Sequence, residues 1–556
     1  MTVLDPTQLY FIPLGGSEEF GINLNVYAYH GKYLIIDCGL GFAGERFPGV
    51  DIVLPDPSWL EERQEDIIGM VITHAHEDHI GAVAYLWKRL RCPVYGSKFT
   101  ASILEHKFKE HGIKDAEIHV VKPMESLKRK PFDVQFIPVS HSVPETMSLA
   151  ITTPVGTVVH SGDWNLDPDP VLGAKTDPDV FQDLGKKGVL AYVGDSTNAN
   201  VEGRSGSERE VEHGLAALFK EQKGRIVITM FASNVGRIQS IVKAAQACER
   251  SVAVAGRSLH RMISTAKDCG YLKDIPDFIS LDDISHLPHD KTVIIATGSQ
   301  GEARATMARI SRGDHDIKLT TGDTAIFSAR AIPGNEAEIN LIKNRLVAAG
   351  VKVISPEDTK LKIHVSGHPR RDEIIQMLQW LQPQTVIPVH GERVMLDAHA
   401  ELARSLQVKN TFVPVNGAVL RLGPDQPELV DHIENGLLVV EPERLMSSDH
   451  QALRERRKLQ YAGIVQASVL LDGRGDLMDD PMITTVGLID PEDEEELAFE
   501  ENIAEEIVDI LKDVPVEDRL DDHIVSEELR IGVRRYVYHF LGIKPITTIH
   551  VLRADR

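Results

Sequence analysis

The spacing of apolar and polar positions changes rhythm along the chain, and each change marks a different piece of fold. Over residues 1–165, short β-branched and aromatic runs at 26–29, 33–37, 70–73, 134–138 and 157–160 are separated by turn-rich stretches and predict strands. From about Val189 onward, strand-like runs at 225–230, 252–254, 292–296 and 351–354 alternate with helix-like segments. One such helix starts at Ser207-Glu208-Arg209-Glu210, a capping box in which the serine and the second glutamate satisfy each other's backbone amides. Another covers 336–349 and stops at Gly350, the residue type best suited to a left-handed helix end. Repeated strand–helix units of this kind predict a mostly parallel sheet with helices on its faces. After Ile363 the first rhythm returns with the apolar run 385–389. Residues 436–460 are mixed and charged and read as a connection, and 461–556 offer strands at 464–471 and 547–552 around a helix near 533–541. The expectation is an α/β chain. A first domain (1–200) is interrupted by a doubly wound insert (201–362), completed by 363–435, and joined through 436–460 to a small α/β domain (461–556).

Length and composition narrow the class. A chain of 556 residues is long enough for about three or four domains. No run approaches the roughly 18 apolar residues of a membrane span, so no membrane partner is expected. Met1 to Tyr10 lacks a basic region followed by an apolar core, so no secretory signal is expected either. Cys38, Cys92, Cys248 and Cys269 show no paired spacing, which argues against disulfides or a cysteine zinc site and makes a reducing cytoplasm the default. The net charge of −23 runs against a nucleic-acid substrate until its distribution is read. Between Asp490 and Glu528 stand 18 acidic residues against two basic ones, a block of about −16, and the rest of the chain is only mildly acidic. A locally basic groove beside metal cations stays compatible with RNA.

The most specific pattern is His74-Ala75-His76-Glu77-Asp78-His79. It follows the apolar run 68–72 and precedes a helix-like stretch, 80–87, so it is expected on a strand-to-helix loop. In extended backbone alternate side chains share a face, so His74 and His76 can grip one cation. The turn beyond aims Asp78 and His79 at a neighbouring point. Imidazole and carboxylate are the ligands that a borderline cation such as zinc accepts. Other β-rich runs end in similar chemistry: His141 after 136–139, Asp163 in Ser161-Gly162-Asp163-Trp164, and His390 in His390-Gly391-Glu392. A single histidine of this kind is as readily a core residue. Together with the cluster, these positions predict one sheet edge gathering the about six or seven ligands that two metals need.

This set resembles the metallo-β-lactamase fold. Asp37 in Ile35-Ile36-Asp37-Cys38-Gly39 matches its first motif, an aspartate that supports ligands without binding metal. The histidine cluster matches the second motif, His141 the third and Asp163 the fourth. Asp195 in Gly194-Asp195-Ser196-Thr197, His368 in His364-Val365-Ser366-Gly367-His368-Pro369, and His390 look like the three motifs of the β-CASP nucleases. Phe231-Ala232-Ser233-Asn234, Gly256-Arg257-Ser258, Thr297-Gly298-Ser299-Gln300-Gly301-Glu302 and Pro388-Val389-His390-Gly391-Glu392 then resemble bacterial ribonuclease J, and Gly15-Gly16-Ser17-Glu18-Glu19 and Phe47-Pro48-Gly49-Val50-Asp51 agree. One departure stands out: where that family has Ile-Gly-Lys-Asn, this chain has Phe20-Gly21-Ile22-Asn23, and the lysine has no counterpart.

The resemblance implies a metallo-β-lactamase αββα sandwich interrupted by a doubly wound β-CASP domain, plus a small C-terminal α/β domain. It implies two divalent cations, zinc with manganese or magnesium as alternatives. His74, His76 and His141 would hold one and Asp78, His79 and His390 the other, with Asp163 bridging. Asp78, Asp195 and His368 would be catalytic, His368 protonating the leaving 3′-oxygen under the influence of Asp195. Ser233, Asn234, His364, Ser366, Gly367 and His368 would bind substrate around a terminal phosphate. The implied activity is 5′→3′ exonuclease, preferring 5′-monophosphate ends, and endonuclease on single-stranded RNA in maturation and decay. Implied assemblies are a homodimer or homotetramer through the C-terminal domain, with other RNA-decay proteins as further partners. Two rival readings are a small-molecule hydrolase of the same fold, which the large insert and the Asp195, His368 and His390 set disfavour, and a non-catalytic subunit of a processing complex, which would have lost ligands that this chain keeps.

Overall fold

Two β-sheets face each other because alternate positions of their strands are apolar and turn to a common layer. The structure, a computed structural model, describes residues 4–554 except 443, 491, 494, 495 and 497. Residues 1–3 of the N-terminal stretch and four positions of the acidic run therefore lie outside the described residues. Two compact units result, one of Met1–Gly41 with Val53–Leu437 and one of Phe42–Ile52 with Leu438–Arg556.

In the first unit an eight-stranded sheet contains Leu9–Gly15, Leu24–Tyr29, Lys32–Ile36 and Ile67–Val71. A seven-stranded sheet contains Phe132–Pro138, Met147–Thr153, Gly156–His160, Ala191–Asp195 and Thr385–Val389. Phe11, Tyr27, Ile36 and Val71 from the first pack with Phe136, Leu149, Val158, Val193 and Ile387 from the second in one buried cluster. Helices Pro178–Lys187, Arg371–Leu381 and Arg393–Ser405 cover the outer face of the second sheet through Phe181, Ile374, Met377, Leu402 and Ala403. The chain leaves this sandwich for a parallel five-stranded sheet ordered Ser251–Ala255, Thr292–Ala296, Ile226–Thr229, Thr324–Phe327 and Lys352–Ile354, as the strand–helix rhythm predicts.

This topology decides where the chemistry collects. Gly156–His160, Ala191–Asp195 and Thr385–Val389 run parallel, with His160 beside Val193 and Asp195 beside Val389. Residues just past these strand ends, Asp163 and His390, therefore emerge beside Asp195. In the facing sheet Lys32–Ile36 and Ile67–Val71 are parallel with Ile36 beside Val71, which brings Asp37 and His74 out together.

Two expectations need correction. The helix expected over 80–87 is two pieces, Glu77–Ile80 and Val83–Leu90, so Asp78 and His79 sit on a short helix instead of a loop. The Asp37 loop breaks it, because the Cys38 amide takes the His79 carbonyl (2.7 Å) and the Ala82 amide turns to the Cys38 carbonyl (3.0 Å). The stretch read as a connection forms the paired strands Leu437–Glu441 and Arg444–Ser447 and the helix Gln451–Ala462, whose charged surface hides it because Leu453 is its one buried residue among those described. The acidic run contains the helix Phe499–Asp513, which buries Phe499, Ile503, Ile507 and Leu511 against Val525, Leu529, Val533 and Val537 of Asp522–Leu541. Among the described residues no helix is long and apolar enough to cross a membrane.

Candidate active site

The residues that end these strands converge on Asp163. Its carboxylate oxygens lie 3.3 Å from His79 Nε2, 3.5 Å from His74 Nε2 and His390 Nε2, 3.6 Å from His141 Nε2 and 3.7 Å from His368 Nδ1. One group of potential ligands is His74, His76, His141 and Asp163, and another is Asp78, His79, Asp163 and His390, with the atoms of each group within 4.8 Å of one another. A third combination, Asp163, Asp195, His368 and His390, meets the same limit.

Each imidazole is fixed from behind. His79 Nδ1 donates to Asp37 Oδ2 (2.7 Å), and His141 Nδ1 donates to the Gly367 carbonyl (2.8 Å). His74 Nδ1 lies 3.0 Å from Thr73 Oγ1, and His76 Nε2 lies 3.3 Å from Ser142 Oγ. The Asn23 amide stands 3.0 Å from His390 Nδ1 and also donates to the Asp78 carbonyl (2.9 Å). Such outer partners select the ring orientation and leave one nitrogen facing inward. Of these five only Asp37 is evident from its motif. Asn23, Thr73, Ser142 and the Gly367 carbonyl acquire their roles through long-range approach, although Asn23 and Thr73 lie inside or next to recognisable motifs. The backbone is strained where it serves the centre: Asp37, His390 and Ile22 have φ of 62°, 57° and 45°. Two glycines permit close approach. A Cβ on Gly39 would fall 1.6 Å from the Asp78 carbonyl oxygen, and one on Gly367 would fall 2.7 Å from the His141 ring.

Burial and charge sort the protonation states. Burial and neighbouring imidazoles hold His76 well below the ordinary histidine value. Burial does the same for His141, so both rings are neutral and can offer lone pairs. Burial opposes a charge on Asp163, but His390, His79 and His368 outweigh it and keep its carboxyl well below the usual range. Burial also opposes a charge on His368, yet Asp195 and Asp163 raise it to about 9. The Asp195 Oδ2 atom accepts from His368 Nδ1 at 2.9 Å, and its Oδ1 is held by the Thr197 amide and hydroxyl.

A small cleft, open to solvent, adjoins the centre. Asn234, Ser366 and Gly367 line it with His141, Asn165 and Glu208. Ser233, His364 and His368 are not among its lining residues. His364 Nδ1 faces Arg237 Nη1 at 3.4 Å, and burial together with that cation lowers it to about 3. Asn234 caps the helix Val235–Gln246 by accepting from the Arg237 amide.

Whether these residues suit a divalent cation can be tested on Asp163. Both its oxygens are buried without a hydrogen-bond partner among the described residues. A buried carboxylate in that condition is costly unless a cation joins it. Nitrogen and oxygen donors on both sides are the types such cations accept, so the site fits.

Comparison with known proteins agrees. Family models match the metallo-β-lactamase superfamily over residues 18–209, the ribonuclease J β-CASP domain over 223–346, the Zn-dependent metallo-hydrolase RNA specificity domain over 360–414 and the ribonuclease J C-terminal domain over 451–554. A ribonuclease J from Sinorhizobium meliloti is 42% identical over 553 residues, covering 98% of this chain and 98% of its own. The ribonuclease J of Synechocystis is 38% identical over 86% of this chain and 76% of its own, and that of Mycobacterium tuberculosis 35% over 95% and 94%. A crystal structure of a protein of unknown function from Enterococcus faecalis shares the fold at a TM-score of 0.51 and 14% identity, covering 74% of this chain and all of that one. With matches along its whole length, the chain belongs to the ribonuclease J family and is a metal-dependent ribonuclease.

Proposed function

We propose that this enzyme matures and degrades single-stranded RNA as a 5′→3′ exonuclease preferring 5′-monophosphate ends, with endonuclease activity at the same centre. The observation that supports it most directly is the Asp163 carboxylate, without a hydrogen bond between two donor groups and beside the His368–Asp195 pair. On this reading His74, His76 and His141 hold one divalent cation, Asp78, His79 and His390 the other, and Asp163 is shared. We assign zinc, with manganese or magnesium as alternatives. Cations held there polarise the phosphodiester and supply a nucleophile at neutral pH. The chain's own residues complete the reaction. Asp195 and Asp163 raise the pKa of His368 to about 9 and so favour its imidazolium form; Asp195 holds Nδ1–H, and Nε2–H is left to protonate the departing 3′-oxygen. Asp37 keeps the His79 ring oriented.

The cavity beside His141 receives the 5′ end. Asn234, Ser366 and Gly367 supply its polar wall, while Ser233 and His364 lie on the same segments outside its lining. Residues 1–200 and 363–435 form the metallo-β-lactamase domain on this reading, 201–362 the β-CASP domain and 461–556 a module for homodimers or homotetramers. Four free thiols suit a reducing compartment, the cytoplasm, where other RNA-decay proteins would be its partners.

The test is product analysis on one RNA carrying a 5′-monophosphate, 5′-triphosphate or 5′-hydroxyl. A triphosphate adds charge that the cavity must desolvate, and a hydroxyl leaves its donors unpaired. Either mismatch should slow stepwise release of mononucleotides by roughly ten- to hundredfold. A circular RNA of the same sequence should still be cut. Equal rates on all three ends would remove the end-reading cavity from the mechanism.

A further inference from the structure

Three loops that carry the chemistry meet on one side chain outside the centre. Glu373 lies on the first turn of Arg371–Leu381 with a relative exposure of 0%, and among the described residues no cation pairs with it. Its carboxylate is nevertheless fully bonded. Oε1 accepts from the Leu166 amide (3.0 Å) and Ser205 Oγ (2.9 Å), and Oε2 from the Ser205 amide (2.7 Å) and the Arg370 amide (2.9 Å). Leu166 follows the Asp163 loop, Ser205 closes the loop after Asp195, and Arg370 follows His368. A glutamate that merely caps its helix needs only the Arg370 amide. The same seam is laced by the Arg371 backbone amide on the Val201 carbonyl (3.0 Å), the Asp372 backbone amide on that of Gly203 (3.2 Å) and Asn198 Nδ2 on Ser366 Oγ (2.9 Å).

We infer that Glu373 is a positioning residue for the His368–Asp195 pair, its carboxylate locking the His368 segment to the Asp163 and Asp195 loops. The inference rests on the reading of His368 as general acid. Only a carboxylate can accept from donors on both its oxygens; glutamine would turn an NH₂ group onto one pair of them. A protein assembled without this lock still binds RNA and cations, but holds its acid off line.

The test compares two substrates under the same divalent cation: an RNA with the ordinary 3′-oxygen at the scissile bond, and the same RNA with sulfur in that bridging position. The P–S bond breaks to a thiolate, which leaves without a proton, so the sulfur substrate does not need the acid. Glu373→Gln should lower kcat on the oxygen substrate by about 10- to 100-fold with KM within about twofold, and lower kcat on the sulfur substrate by less than about threefold. His368→Gln is the reference and should show the same split. If His368→Gln slows both substrates equally, the general-acid reading fails and the inference with it. If His368→Gln splits them while Glu373→Gln slows both alike, or neither, the inference alone is overturned. Circular dichroism at the assay temperature checks folding. Should Glu373→Gln not fold, Ser205→Ala removes only the Oγ–Oε1 bond and should give a smaller split of about threefold; no split there overturns the inference.

Discussion

Asp78 and His76 stand on opposite sides of Asp163, and each belongs to only one of the two donor groups that carboxylate joins. The Asp78 Oδ2 atom lies 3.6 Å from His390 Nε2 and 3.7 Å from His79 Nε2, whereas His76 Nδ1 lies 3.1 Å from both His74 Nε2 and His141 Nε2. Asp78→Ala therefore removes a carboxylate donor from one group, and His76→Ala an imidazole donor from the other. Each should lower turnover by about three orders of magnitude or more while the fold persists, because the core lies in the sheets behind. Purified, metal-analysed variants settle it in single-turnover assays. A variant keeping more than roughly a tenth of wild-type turnover would mean that one cation suffices.

At the level of elements, the helix Arg393–Ser405 shows how the core makes its own demands on protonation. Its His399 is fully buried, with Nδ1 2.9 Å from Ser196 Oγ, and burial pushes its pKa down to about 4. An exposed histidine in the unfolded chain titrates near its ordinary value of 6.5. Between those values the unfolded state binds the extra proton, so stability is lost as pH falls from about 6.5 towards 4. At pH 5 that loss is about 2 kcal/mol. His399→Asn keeps a hydrogen-bonding partner for Ser196 without the titration, and its urea-derived stability should fall by that much less than wild type between pH 7 and pH 5. Parallel curves would assign the acid lability to other groups. Elements of this kind were largely legible from pattern: Thr292–Ala296 occupies its predicted span, and Ser207 and Glu210 form their capping box. Ligand candidates stood out because they end apolar strands. What pattern could not reveal was set by distant chain. The Glu77–Ile80 helix stops because Cys38, next to Asp37, takes the His79 carbonyl and the Ala82 amide. Glu373 looks like an ordinary capping glutamate until Leu166 and Ser205 are brought to it. The charged surface of Phe499–Asp513 masks a buried stripe spaced at four residues.

For the whole molecule, the question is what the acidic C-terminal unit contributes to an enzyme whose substrate is a polyanion. Its three-stranded sheet, with Ile464–Leu471 central, turns Val465, Ala467 and Val469 toward the helices Phe499–Asp513 and Asp522–Leu541. The alternate positions make the other face. Val486 pairs with Ile464, which pairs with Ile546, and Leu470 pairs with Leu552; Val486 and Leu552 are 60% and 54% exposed, and Met482 beside them 73%. That face mixes these apolar side chains with Gln466, Ser468, Thr484, Thr548 and His550; its exposed apolar part is suited to burial against a partner, whereas the block of about −16 would repel an RNA backbone. This division favours assembly over chemistry for the unit. Val486→Glu with Leu552→Glu places two charges on the open face and leaves the packed one untouched. In the full-length protein the pair should lower the mass measured by light scattering, while single-turnover cleavage of a short RNA stays within about twofold of wild type because no site residue changes. Removing residues after 460 should likewise lower the number of protomers per particle and also weaken degradation of long RNA. An unchanged number of protomers per particle in both proteins would rule out this unit as the site of self-association.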